Sequence, residues 1–551
     1  MIKVSLFLIF SIITFQVHAQ NLTIEIDELL NDMFDPNGPG AVALVVKDGK
    51  TIYRKAFGMA NIELGVKMTP EHTFRIGSIT KQFTAVAILK LAEEGKLKLD
   101  DNISKYIKDY PTHGHKITIK HLLNHTSGIK NYTSLATRNK AFKHKGFTPK
   151  EMINFFKDQP MDFSPGEQYR YNNSGYFLLG YIIEQVSGQS YESYINNNIF
   201  QPLNMHDSFY NSATKIIKNR TAGYEFNEES AVINADYISM TQPYAAGALR
   251  SSVDDLYTWN QAVMNDKIIS KKSRDLAHKR GKLNDGTELN YGYGWFIGNI
   301  QGESMIFHDG GIDGFFSESR FLPNENVFVA LLVNCGGCKL PYDTTYRIAA
   351  MAINKPFQNT KTTLSEQAMS EYPAVYLRGG NDSSERQITS EAGKLYSTLG
   401  TQKQEIFAVA KDHFIFATGI NSLIFNRNNS GTIDSVTLKS IYPDETWDKT
   451  DKPLPKLTAI NLPESLLTTY IGFYELRPDF IFEVIIENGT LYLMAPKSEK
   501  REMVAVENNH FYLKGDSHIR FTFNTSDKGV IESMTAYWGS DFIAKKIVPI
   551  E

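Results

Sequence analysis

Residues 393–396 read Gly-Lys-Leu-Tyr and residues 489–492 read Gly-Thr-Leu-Tyr, and this echo opens an internal repeat. Phe407-Ala408-Val409 with His413-Phe414 recurs as Val504-Ala505-Val506 with His510-Phe511. Leu423 to Asn426 with Ser430-Gly431 recurs as Phe521 to Asn524 with Lys528-Gly529, and Tyr376 matches Tyr474, all at an offset of 96 to 98 residues. A period this long, present twice, specifies two copies of one small domain and not a solenoid. Each copy alternates short β-type runs with turn residues, so each is expected to form a small sheet or barrel. The copies are bounded as residues 372–442 and 464–551. Residues 356–371 read as the linker before them, and the Pro-rich stretch 443–463 as the linker between them.

Residues 21–355 mix helical and strand periods. Ala41 to Val46 and Thr51 to Ala56 predict a hairpin around Asp48-Gly49. Helical patterns follow at Ile79–Glu94, Thr118–His125 and Tyr176–Val186, the last ended by Gly188, and another begins at Ser252. Strand-like runs return at Gly292–Ile297 and Glu318–Val333. Strands at both ends with helices between predict an α+β domain whose terminal strands share one sheet.

Residues 1–19 read as a signal peptide: Lys3 is the charged n-region, Val4 to Phe15 the apolar run, and Val17-His18-Ala19 the small-residue cleavage site. An uncleaved anchor is the alternative. No later segment approaches the roughly 18 apolar residues of a membrane-spanning helix, so the mature chain is expected to be exported, periplasmic or secreted. The 551 residues carry 58 basic and 61 acidic side chains, a net charge of −3. That balance gives no basic excess for nucleic acid. Cys335 and Cys338 are the two cysteines. Two thiolates are too few for a structural zinc site. The pair follows a strand-like run with no βαβ context, so a local turn disulfide is favoured over a redox centre.

Ser-x-x-Lys occurs three times, at Ser78–Lys81, Ser127–Lys130 and Ser212–Lys215. Context separates them: Ser78 follows Arg75-Ile76-Gly77 and opens a helix with Phe83, Val86, Ala87 and Leu91 as its apolar face. A serine there has unpaired N–H groups and the positive end of a helix dipole around it, and Lys81 lies one turn on. An ordinary N-cap is the competing reading. Two further segments follow in order, Tyr171-Asn172-Asn173 and His308-Asp309-Gly310-Gly311.

With these three elements the chain resembles the β-lactamase-related serine hydrolases, which include class C β-lactamases, D,D-carboxypeptidases, D-aminopeptidases and esterases. The segments Ile119–Gly128 and Gly247–Ser252 are similar to that family as well, and the resemblance covers about residues 25–355. The repeated part resembles the lipocalin-like β domains that some members append. The resemblance implies Ser78 as the nucleophile, with Lys81 and Tyr171 sharing the proton work and either able to be the base. It implies Asn173, His308, Asp309, Gly310 and Gly311 as substrate-binding residues, with the N–H groups of Ser78 and Gly311 as oxyanion hole. Neither metal nor organic cofactor is required.

Two positions depart from the family's usual Lys-Thr-Gly or His-Thr-Gly. His308 keeps a hydrogen-bond donor while making its charge depend on pH. An ionised Asp309 in place of threonine would repel a substrate carboxylate, unless it points away and caps a turn. The reading is an exported serine hydrolase acting through an acyl-enzyme on small peptides or esters, D-amino-acid peptides of peptidoglycan type first. The alternatives are an esterase or β-lactamase of the same fold, or a non-catalytic cell-wall or peptide-binding relative. His121 and His125, four residues apart, lack a third ligand and a Glu between them, so a structural role is expected.

Overall fold

Ala41–Lys47 (β1) is an apolar run buried over its first six residues, as a strand covered on both faces must be. It turns at Asp48-Gly49, both at positive φ, into Lys50–Phe57 (β2). Four strands from the far end of this region complete the sheet: Phe296–Ile300 (β3), Glu303–Ile312 (β4), Phe315–Leu322 (β5) and Val327–Val333 (β6). Their order is β3-β4-β5-β6-β1-β2, with every neighbouring pair antiparallel. Ala41 stands opposite Val333 and Lys47 opposite Val327, so the two ends of the region meet in one sheet. The run read as Glu318–Val333 is two strands joined by a turn at 323–326. The pairing of β3 with β4 ends at Phe307, which leaves His308–Ile312 with β5 on one side and, among the described residues, no strand on the other. The structure is a computed structural model of the chain and describes residues 22–548 except 339–342, 359, 380, 392, 401, 418–419, 455–458, 478–479, 497, 515, 527–528 and 538–540. The expected signal peptide lies outside the described residues.

Helix Thr80–Glu93 (α1) is buried nearly all round. Lys81, Gln82 and Thr84 are as inaccessible as Phe83 and Val86, so the single apolar face read from sequence is too narrow a description. Asn173–Ser187 (α2) packs on it, capped by the Asn172 side chain on the Gly175 N–H (2.9 Å) and stopped by Gly188 at φ 68°. Val253–Met264 (α3) starts at Ser252, whose hydroxyl accepts from the Asp255 N–H. Thr344–Ala352 (α4) packs on β6 and carries Tyr346.

The molecule divides into two compact units, residues up to Phe357 with Ser440–Pro443, and the rest. The second unit holds two closed eight-stranded barrels, spanning Ala374 to Lys449 and Gly472 to Ile547. The repeat is visible in detail: Gly393 and Gly489 make equivalent hairpin turns at φ 76° and 75°. The Tyr376 hydroxyl donates to the Tyr372 carbonyl (2.9 Å), as that of Tyr474 does to Tyr470 (2.6 Å). His413 and His510 begin equivalent strands. Tyr474, Phe511, Phe521 and Phe523 are core residues, whereas Tyr492 and Tyr512 are half-exposed. Two stretches read as linkers carry structure. Glu366–Met369 is a short helix, and Glu445–Lys449 is the eighth strand of the first barrel, pairing with its first.

Candidate active site

The chain before α1 is a single 3-10 turn, Gly77–Ile79, and Ser78 is its middle residue. The turn lies against β4 with almost no room between backbones. A Cβ at Gly310 would sit 2.1 Å from the Ile76 carbonyl oxygen and 2.9 Å from the Ser78 nitrogen. A Cβ at Gly77, itself at φ 47°, would sit 3.0 Å from the Gly311 nitrogen. Gly77 and Gly310 are thus required by close approach. Gly311 has open space where its Cβ would be. The Ser78 and Gly311 N–H groups belong to two segments in contact.

Lys81, one helical turn past Ser78, is completely buried. Its Nζ lies 2.9 Å from Ser78 Oγ, 2.9 Å from Asn173 Oδ1 and 2.8 Å from the Ala246 carbonyl oxygen. Burial lowers its pKa well below that of an ordinary lysine. The carbonyl oxygens of Asn173 and Ala246 accept only, so a neutral amine spends its two hydrogens on them and turns its lone pair to the Ser78 hydroxyl. Tyr171 lies across the site, its ring centroid 4.8 Å from Lys81 Nζ. Burial raises its pKa, and the nearby Ser78 hydroxyl offsets part of that push. The phenol stays protonated where the lysine is neutral. Asn173 opens α2. Its side-chain oxygen is committed to Lys81, and its Nδ2 lies 3.4 Å from Thr133 Oγ1.

The third element departs from expectation. His308 is buried; its Nδ1–H donates to the Asp309 carbonyl (2.6 Å) and its Nε2 accepts from the Tyr291 hydroxyl (3.0 Å). Burial, aided by Lys81, lowers its pKa to about 3, so the ring is neutral at ordinary pH and its one donor is already used. The pH-dependent charge read from sequence is absent. Asp309 does not confront the cleft as a lone anion. It pairs with Arg320 (3.3 Å), which also bonds Glu318 (2.8 Å) and lies 3.5 Å over the Tyr346 ring. Burial raises the pKa of Asp309 while Arg320 lowers it.

The other two Ser-x-x-Lys copies are elsewhere: Lys130 pairs with Asp162 (2.7 Å) and Lys215 with Glu192. His121 helps cap its own helix, its Nδ1 accepting from the Thr118 N–H. Cys335 and Cys338 form a disulfide. Among the described residues no cluster of His, Cys, Asp and Glu could hold a metal ion, and no helix is long and apolar enough to cross a membrane. Tyr291 and Arg320 were not singled out from sequence. The signal for Arg320 was present, since Glu318 and Arg320 alternate within a strand-like run and therefore share one face.

Comparison with known proteins places this geometry. The Beta-lactamase family model matches residues 26–351. Protein flp of Staphylococcus aureus (strain N315) is 32% identical over 327 residues, 58% of this chain and 64% of that protein, so the chain spans less than two thirds of that relative's length. Penicillin-binding protein 4* of Bacillus subtilis (strain 168) is 28% identical over 421 residues, 70% of this chain and 89% of its own. The structure of an octameric penicillin-binding protein homologue from Pyrococcus abyssi superposes with a TM-score of 0.54 at 28% identity, covering 78% of this chain and 99% of that one.

Proposed function

The chain belongs to the β-lactamase family of serine hydrolases, and we propose that it is an exported hydrolase that acts through a Ser78 acyl-enzyme on amide or ester bonds, D-amino-acid peptides of peptidoglycan type being the leading substrates. One observation carries the reading: the buried Lys81 amine, with carbonyl oxygens for its hydrogens and Ser78 Oγ 2.9 Å away. The Ser78 proton passes to Lys81 Nζ as Oγ bonds to the substrate carbonyl carbon. The carbonyl electron pair moves onto oxygen, facing the N–H groups of Ser78 and Gly311, each such donor being worth about 3 to 4 kcal/mol. Collapse expels the leaving group, which takes its proton from the Tyr171 phenol. The Lys81 ammonium proton restores the phenol, and water repeats the sequence on the acyl-enzyme.

The substrate class is supported by the relatives named as penicillin-binding proteins and by the pairing of Asp309 with Arg320. Compensated in this way, Asp309 no longer repels the terminal carboxylate of such a peptide. Export is supported by Lys3 with the apolar run Val4–Phe15 and by the Cys335–Cys338 disulfide, which persists in oxidising compartments. The test is time-resolved intact mass after mixing with a penicillin. A stable adduct on wild type and none on Ser78→Ala is expected. Penicillin consumed without an adduct would make the enzyme a β-lactamase. Neither adduct nor consumption would remove the peptidase reading, and equal hydrolysis of an activated ester by both proteins would remove the enzyme reading altogether.

A further inference from the structure

His125 is the residue on which the Tyr171 segment hangs. Its carbonyl oxygen accepts from the Arg170 N–H (3.0 Å), and its Nδ1 accepts from the Asn172 N–H (3.1 Å). Tyr171 is thereby tied on both sides to one residue. The ring is also in contact with Tyr171, with centroids 4.3 Å apart, and lies 4.7 Å from Tyr291 and 5.1 Å from Tyr176. The neighbouring backbone continues the attachment: Gly166 N–H donates to Thr126 and Asp162 N–H to Gly128, each at 2.8 Å.

The residue is held there at a cost. His125 has φ 61°, a region that few side chains adopt. With Nδ1 accepting, the neutral ring carries its proton on Nε2, which is buried without a hydrogen-bond partner among the described residues. Burial keeps the ring neutral. An orphaned donor in a strained backbone position is a poor choice for packing alone. We propose that His125 is a positioning residue for the reaction, one that fixes Tyr171 relative to Lys81 through the Arg170 and Asn172 N–H groups.

The proposal rests on Ser78, Lys81 and Tyr171 being the hydrolytic site, and its test separates the two. His125→Asn keeps an acceptor at the position of Nδ1 and tolerates the left-handed backbone. His125→Gln keeps size and polarity but moves the acceptor one bond out. With p-nitrophenyl acetate as probe and the full chain, the expected result is a kcat about 100-fold lower for His125→Gln, KM within about threefold of wild type, and His125→Asn within about tenfold of wild-type kcat. In a Tyr171→Phe background the Gln substitution is expected to cost under twofold, because it acts through Tyr171. Equal rates for the Asn and Gln chains, or a full additional loss in the Tyr171→Phe background, would overturn it. If the Gln chain fails to fold, His125→Asn decides, and a kcat more than tenfold below wild type refutes the proposal. Should wild type leave the ester intact, the hydrolase reading fails on its own. Hydrogen exchange of the 169–173 peptide then decides this one: faster in Gln than in Asn supports it, and equal rates refute it.

Discussion

The nitrogen of Lys81 has two carbonyl oxygens and one hydroxyl around it, and that set defines the chemistry at the scale of single residues. Carbonyls cannot donate, so of these three neighbours only the Ser78 hydroxyl can give a proton to the neutral amine during attack. The reaction then needs the Ser78 turn and β4 to stay in register to within a fraction of an ångström. That requirement falls on Gly310, not on Gly311. Gly310→Ala would place a Cβ against the Ile76 carbonyl and the Ser78 nitrogen, forcing the strand and the nucleophile apart, and a displacement near 1 Å is enough to cost about 100-fold in rate. Gly311→Ala meets nothing within 4 Å and is expected to stay within about threefold of wild type toward a small activated ester. Ester hydrolysis by the two variants, with melting temperatures as a control for folding, checks this. Equal losses would refute the assignment.

At the scale of elements, β4 and β5 bring three charges together inside the sheet's cover. Asp309 lies opposite Glu318 and Phe307 opposite Arg320, so both carboxylates flank one guanidinium. Glu318, fully buried, has its pKa raised to about 7 by burial, with Arg320 opposing the rise. Arg320→Met removes the shared cation and leaves the buried Glu318 carboxylate and the partly exposed Asp309 carboxylate without compensation. Chemical denaturation is expected to show a loss of about 3 to 5 kcal/mol, and a loss under 1 kcal/mol would mean that the triad is not what holds these groups inside. Such contacts mark the limit of what the sequence shows. The first hairpin, the helix begun at Ser252 and the duplicated barrels were legible because periodicity and turn residues declare them locally. The order Ser78, Lys81, Tyr171, Asn173, His308 was legible as a motif set. Which glycine is sterically required, and that Asp309 meets Arg320, depend on the register of β4 against β5 and on its approach to the Ser78 turn, which no local pattern encodes. Glu445–Lys449 was lost to the linker because its residues are polar except Trp447, and only barrel closure explains why that ring is buried.

At the scale of the whole molecule, two compact units with separate cores predict more than one unfolding transition. Which transition belongs to the unit that holds Ser78 can be read from a buried histidine outside the candidate site. His278 sits edge-on to Trp295 at 4.8 Å, and burial, with Arg274 nearby, lowers its pKa to about 4. Above pH 6.5 it is neutral in both folded and unfolded chains and contributes no pH dependence. As the pH falls below 6.5 the unfolded chain binds a proton that the folded one refuses until about pH 4, so the folded state loses ground steadily over that window. The loss approaches about 3 kcal/mol, because each pH step of one across the window is worth about 1.36 kcal/mol. Other groups titrate over the same range, Glu318 in the opposite sense, and the comparison of wild type with His278→Gln cancels them. Calorimetry from pH 7 to 4 is expected to show the stability of one transition declining by about 3 kcal/mol more in wild type than in His278→Gln, with the barrel transition shifting equally in both. A penicillin adduct on Ser78 should then move that same histidine-sensitive transition. If the pH-dependent gap appears in every transition, the units unfold as one and their independence is refuted; if it appears in none, His278 is protonated in the fold and its burial is incomplete.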